Sequence, residues 1–199
     1  LYEVTQTKGD SESHPFLSPN DEFADYSRWD RSNLDGSERK KQEMLEFEYA
    51  RSAFKNGLKL EARLGVNPYR FGFNASSDAH TGLASTAEDN YFGKMASSEP
   101  GPKRFDGEVI RAVDPALRIT KSQESAAGLT AVWARENTRD EIFDSLRRKE
   151  IYATTGTRLR VRLFAGWDFA PGDELAPDFA ALGYRKGVPM GGELRGHSA

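Results

Sequence analysis

The stretch NPYRFGFNASSDAHTG, residues 67–82, decides how the chain is read. Asn67-Pro68-Tyr69 makes a turn, and Phe71 to Ser76 then form a short apolar strand that runs directly into Ser77-Asp78-Ala79-His80. Side chains at i and i+2 of extended chain point to the same side, so Asp78 and His80 reach toward one shared metal ion or water. A carboxylate paired with an imidazole suits Zn, Mn or Fe. On spacing alone the competing reading is a turn capped by Asp78 with His80 bonded to a loop. Asn74-Ala75-Ser76 fits the glycosylation triplet, but an apolar strand is a poor acceptor.

Upstream, residues 1–7 alternate as a strand ending beside Lys8, and Glu3, Gln6 and Lys8 share its side, with Glu12 and His14 beyond. Taken as charge alone, this cluster is a solvated loop. Residues 8–36, rich in Gly, Asp, Ser, Pro and Asn, read as one long loop, the kind that is either functional or without fixed structure. It sits in an acidic first quarter: residues 1–50 hold 12 Asp and Glu against 6 Lys and Arg. From Ser37 as N-cap, apolar spacing predicts a helix with Met44 or Leu45, Phe47, Ala50 and Phe54 on one face, closed by Gly57 or Gly65.

Downstream, the pattern predicts a helix over 106–113 and a strand over 128–134. Thr138 caps a further helix carrying Ile142, Phe143 and Leu146 as its buried stripe, with acids ahead of bases as the helix dipole favours. Residues 158–164 alternate as a strand with Arg158, Arg160 and Arg162 on one face. Such a row binds a substrate phosphate or carboxylate, or forms the wet face of an edge strand. Trp29, Trp133 and Trp167 are read as core or loop-packing residues. After Gly166 come turns and a tail. Strands alternating with helices place the chain in the α/β class.

Composition limits the partners. The 199 residues suffice for one or two domains at roughly 150 residues each. A net charge of −3 argues against a nucleic-acid partner, which favours a basic surface. Mean hydropathy is −0.70 and no apolar run is long enough to span a membrane, so the chain reads as soluble and not membrane-bound, without a signal choosing cytoplasm or periplasm. With no Cys and only His14, His80 and His197, metal chemistry must lean on carboxylates.

The 67–82 stretch resembles the closing metal-binding motif of the polymerase-and-histidinol-phosphatase (PHP) superfamily, and more closely the DUF3604 family near its carbaryl-hydrolase-like members. Four other segments share the likeness: EVTQTKGDSE at 3–12, WARENTRDEIF at 133–143, YATTGTR at 152–158 and GVPMGGEL at 187–194. The resemblance implies the C-terminal portion of a distorted (β/α)7 barrel over residues 1–165, followed by a Gly/Pro-rich, β-rich extension over 166–199. It implies a divalent metal (Zn, Mn or Fe) held by Asp78 and His80, with Glu3 as a further catalytic residue at or beside the cluster. Gln6, Lys8 and Arg158 are the expected substrate contacts.

The activity so implied is hydrolysis of an ester, phosphoester or carbamate in a small-molecule substrate. The resembled superfamily opens with an H-x-H motif, which does not occur in the chain, and two ligands fall short of the three protein ligands of an open catalytic site. The expectation is therefore a fragment of a larger hydrolase, with residues before Leu1 supplying the H-x-H. The alternative is a non-catalytic α/β module, lacking a complete metal site, that pairs with itself as a homodimer.

Overall fold

The computed structural model describes residues 1–80 and 105–196, together with 82, 86–87, 90–91 and 101–102. The chain is a mixed α/β structure. Strand β1 (Tyr2–Gln6) turns back into the short β2 (Gly9–Asp10), passes through a long irregular segment into helix α1 (Ala50–Leu64), and returns as β3 (Phe73–Ala75). A hairpin of β4 (Thr86–Ala87) and β5 (Asn90–Tyr91) follows, and then β6 (Glu108–Ile110), β7 (Ile119–Thr120) and β8 (Gly128–Val132). Helix α2 (Arg139–Arg148), β9 (Ile151–Thr155), β10 (Phe164–Ala165), α3 (Phe179–Lys186) and β11 (Val188–Pro189) complete the order.

The first sheet has the order β2-β1-β3. β1 and β3 run parallel, with Tyr2 opposite Phe73 and Thr5 opposite Ala75, so α1 is the crossover that parallel strands require. Phe54 on α1 anchors that crossover: its ring lies 4.9 Å from Phe71 and 5.3 Å from Phe73, and Tyr2 stacks on Phe71 at 5.2 Å. The ribbon of β8 and β9, paired from Gly128–Thr155 to Val132–Ile151, packs against β3. Here a side chain replaces a strand: Thr130 Oγ1 accepts from Ala75 N at 2.9 Å and donates to Ala75 O at 2.7 Å. Among the described residues the strands make one three-stranded and four two-stranded sheets, and these do not close into a barrel.

Several expected elements shift. The single helix expected from Ser37 is broken: a 3-10 turn spans Gln42–Phe47, and α1 begins only at Ala50. Loop carbonyls decide the start, since Ala50 N donates to Ser11 O and Arg51 N to Glu12 O, satisfying first-turn donors that a longer helix would have used internally. Phe47 is consequently exposed instead of sharing a face with Phe54. Gly65, not Gly57, ends the helix, at φ +76°, a conformation glycine adopts without steric penalty.

The helix expected over 106–113 is absent, because residues 108–110 pair with 119–120 as β6 and β7. Thr138 does cap α2, its side chain accepting from Glu141 N. The buried stripe is different: Phe143 is exposed, and the fully buried residue is Ser145. Extended pairing over 158–163 is also absent, since side chains claim its backbone. Tyr152 Oη donates to Leu159 O and accepts from Val161 N, while Trp133 Nε1 donates to Val161 O. Beyond 166 the expected tail contains α3 and β11, and β11 pairs with β10.

Candidate functional site

Parallel pairing of β1 and β3 brings their carboxyl ends side by side, the position where open α/β sheets collect ligands. Lys8 leaves the end of β1 and Asp78 the end of β3, and the Lys8 ammonium donates to Asp78 Oδ2. Gln6 steadies the lysine, its Oε1 accepting from Lys8 N at 2.9 Å and from Lys8 Nζ at 3.4 Å. His80 Nε2 lies 3.0 Å from Asp78 Oδ1, so one carboxylate joins an ammonium and an imidazole. Asp78 has φ +54°, a left-handed conformation tolerated by Asp better than by most residues. That backbone turn directs the carboxylate back over the strand ends. Glu3 is tied to the same loop, its Oε1 accepting from Ser76 Oγ.

Gln6, Lys8, Asp78 and His80 are thus brought to one end of the sheet, and Glu3, nearer the start of β1, reaches that end through Ser76. Arg158 stands on exposed chain beyond Gly156, after the end of β9. Glu12 and His14, read from sequence beside Lys8, face elsewhere: Glu12 pairs with Arg51 at 2.7 Å and His14 with Asp30 at 3.1 Å. Of the tryptophans read as core or loop-packing, Trp133 and Trp167 donate an indole N–H to loop carbonyls and Trp29 to the carbonyl of Gln123 at the end of a 3-10 turn.

A cavity of about 260 Å³ adjoins the cluster. Glu3, Gln6 and Lys8 line it together with Trp29, Arg31 and Tyr49. Burial, followed by the nearby Asp30 carboxylate, raises the Tyr49 phenol above its ordinary value, so Tyr49 stays a neutral hydroxyl. Sequence reading missed Ser76, although its place two residues before Asp78 marks it. Trp29, Arg31 and Tyr49 carry no local signal, because long irregular chain delivers them to the cavity.

Carboxylate and imidazole are donor types a divalent metal takes, so Asp78 and His80 suit one in kind. In number they fall short: among the described residues no group of three His, Cys, Asp or Glu is placed to hold a metal ion. The Lys8 ammonium also competes for the Asp78 carboxylate. A metal at this end of the sheet therefore requires a third donor and movement of Lys8. No helix among the described residues is long and apolar enough to cross a membrane.

Compared with known proteins, the chain matches over residues 1–199 a family model described as a protein of unknown function, DUF3604. No curated protein and no solved structure matches it.

Proposed function

The chain belongs to the DUF3604 family, and from that premise we propose that it carries part of the active site of a metal-dependent hydrolase of the PHP type, its β1–α1–β3 unit being a portion of a distorted barrel. The observation that supports this is the convergence of Lys8, Asp78 and His80 beyond the carboxyl ends of two parallel strands, with Glu3, nearer the start of β1, bonded to Ser76 of the same loop. Asp78 and His80 would hold a divalent ion (Zn, Mn or Fe), together with a third donor. When bound, such an ion lowers the pKa of its water toward 7 and polarises the scissile group.

The chain's own residues bind and orient. Lys8, steadied by Gln6, presents a positive charge to an ester or phosphoester oxygen or to a carbamate. Glu3 and Ser76 fix the loop that carries Asp78. The adjoining cavity, with Trp29 and Tyr49 in its wall, accepts the small-molecule substrate's organic portion. Arg158 is assigned to the substrate side from the arginine row at 158, 160 and 162 in the sequence. The test is turnover of an ester, carbamate and phosphoester panel with added Zn, Mn or Fe, by the chain and by Asp78→Ala and His80→Ala. Activity lost in both variants supports the reading, and turnover unchanged in either removes it.

A second reading is favoured by exposed apolar surface: Phe23, Phe47 and Phe105 are each more than three-quarters accessible. In this reading the chain is a non-catalytic α/β module that covers those rings by pairing with itself. Metal analysis with light scattering separates the two, since a metal-free dimer favours the module and a metal-loaded monomer the hydrolase.

A further inference from the structure

A second concentration of charge lies at the opposite end of the strands. The β8–β9 ribbon begins beside the candidate site, where Gly128 N donates to Ser76 O and Thr155 Oγ1 donates to Thr5 Oγ1. It ends where Trp133 N donates to Glu150 O. Four residues of extended chain separate the two ends by ~13 Å. At the far end a cavity of about 680 Å³ is lined by Trp133, Arg135, Arg148, Glu150, Arg162 and Tyr184, among others.

Glu150 is the buried anchor of that cavity, with its side chain only 5% exposed. Its carboxylate accepts from the Tyr184 hydroxyl and lies 3.7 Å from Arg148 and 3.8 Å from Arg162. Arg162 is held in place from several directions. Its guanidinium lies 4.3 Å from the centre of the Trp133 ring, and its Nη2 donates to Tyr184 Oη at 3.0 Å. Its Nε is nonetheless buried without a hydrogen-bond partner among the described residues. Arg135 makes no hydrogen bond or ion pair with any described residue. Three guanidinium groups against one carboxylate leave two positive charges on the wall.

Buried N–H groups without partners are costly, and fixed guanidinium groups recognise phosphate through paired hydrogen bonds. A double positive excess matches a dianion. The volume exceeds what inorganic phosphate fills and lies in the range of small-molecule pockets. We propose that this cavity is a second ligand site, which takes a small organic phosphate or phosphonate dianion between Arg135, Arg148 and Arg162, with Trp133 and Tyr184 beside its organic part. Glu150 positions Arg162 and, by its own charge, keeps the affinity moderate.

The test is isothermal titration of the chain at constant ionic strength with phenylphosphonate, which a hydrolase cannot cleave, and with inorganic phosphate. Saturable binding is expected, tighter for phenylphosphonate, and about tenfold weaker in Arg135→Ala. Arg135 anchors nothing in the fold, so this variant folds as the parent does. Glu150→Gln, where it folds, binds the dianion more tightly because a repelling charge is gone. Asp78→Ala leaves the affinity unchanged, which separates this site from the proposed hydrolytic one. The proposal is overturned if binding is not saturable, if Arg135→Ala binds as the parent does, or if Asp78→Ala abolishes binding.

Discussion

Lys8 donates its ammonium to the carboxylate of Asp78, a residue 70 positions away, and this contact ties the chain leaving β1 to the chain leaving β3. Both partners are largely shielded from solvent, with side chains 25% and 14% exposed. The contact also sets a competition, because a divalent ion at Asp78 must displace a lysine.

Replacing Lys8 with Met keeps the aliphatic stem and removes the competing charge. Divalent-ion affinity, measured by titration with Mn or Zn, is expected to rise about tenfold in Lys8→Met while hydrolysis of anionic esters falls. Equal metal affinity in parent and variant would show that Lys8 does not guard the carboxylate. Stability is expected to drop by about 1–3 kcal/mol, since Asp78 loses a charged partner.

Thr130→Val tests the side chain that stands in for a strand. The variant keeps the β-branched shape but leaves Ala75 N and Ala75 O without their partner. Ala75 is buried, so unfolding in urea should show a loss of about 2 kcal/mol. A loss within a few tenths would mean that water replaces the hydroxyl.

Gly128→Ala probes the close approach of the β8–β9 ribbon to the site strands. An added Cβ would lie 2.6 Å from Ala75 Cβ, 2.7 Å from Thr5 O and 2.9 Å from Ser76 O. Two of those three atoms are backbone, so a rotamer change cannot relieve the overlap. A destabilisation of about 1–3 kcal/mol is expected in thermal unfolding. In the hydrolase reading activity falls with it, because Ser76 and Thr5 carry the strand ends.

Asp10 gives a pH dependence. Burial, outweighing the bond it accepts from Glu12 N at 2.8 Å, raises its carboxyl to about 6. The Glu12 carboxylate acts in the same direction and the Arg51 guanidinium against it. The folded chain therefore binds this proton more tightly than the unfolded chain, so the contribution of Asp10 to stability falls as pH rises from about 4 to 6. Asp10→Asn should remove that slope and gain up to about 1 kcal/mol at pH 7, once solvent screening of a half-buried group is allowed for. Urea unfolding of both proteins at pH 4.5 and 7 checks it, and parallel stability profiles would reject the burial effect.

The residues determine by themselves whatever depends on near neighbours. Alternation in residues 1–7 marked β1, the short apolar run of 71–76 marked β3, and the side chain of Thr138 marked the start of α2. The i, i+2 spacing marked Asp78 with His80 and Gln6 with Lys8, but both pairs meet in turns and not along extended chain, Asp78 being left-handed at φ +54° and Lys8 lying in the turn between β1 and β2. Only the tertiary structure decided the rest. Residues 158–163 carry a strand's alternation, yet the side chains of Tyr152 and Trp133 take up the backbone bonds of Leu159 and Val161. Residues 38–49 carry a helix's spacing, yet the carbonyls of Ser11 and Glu12 set the start of α1 at Ala50. The pairing of Lys8 with Asp78, and the meeting of Arg135, Arg148 and Arg162, follow from where the α1 crossover and the β8–β9 ribbon bring separate strand ends. Local periodicity determines which way a side chain points, but a backbone donor or a charge is satisfied by whatever partner folding brings within reach.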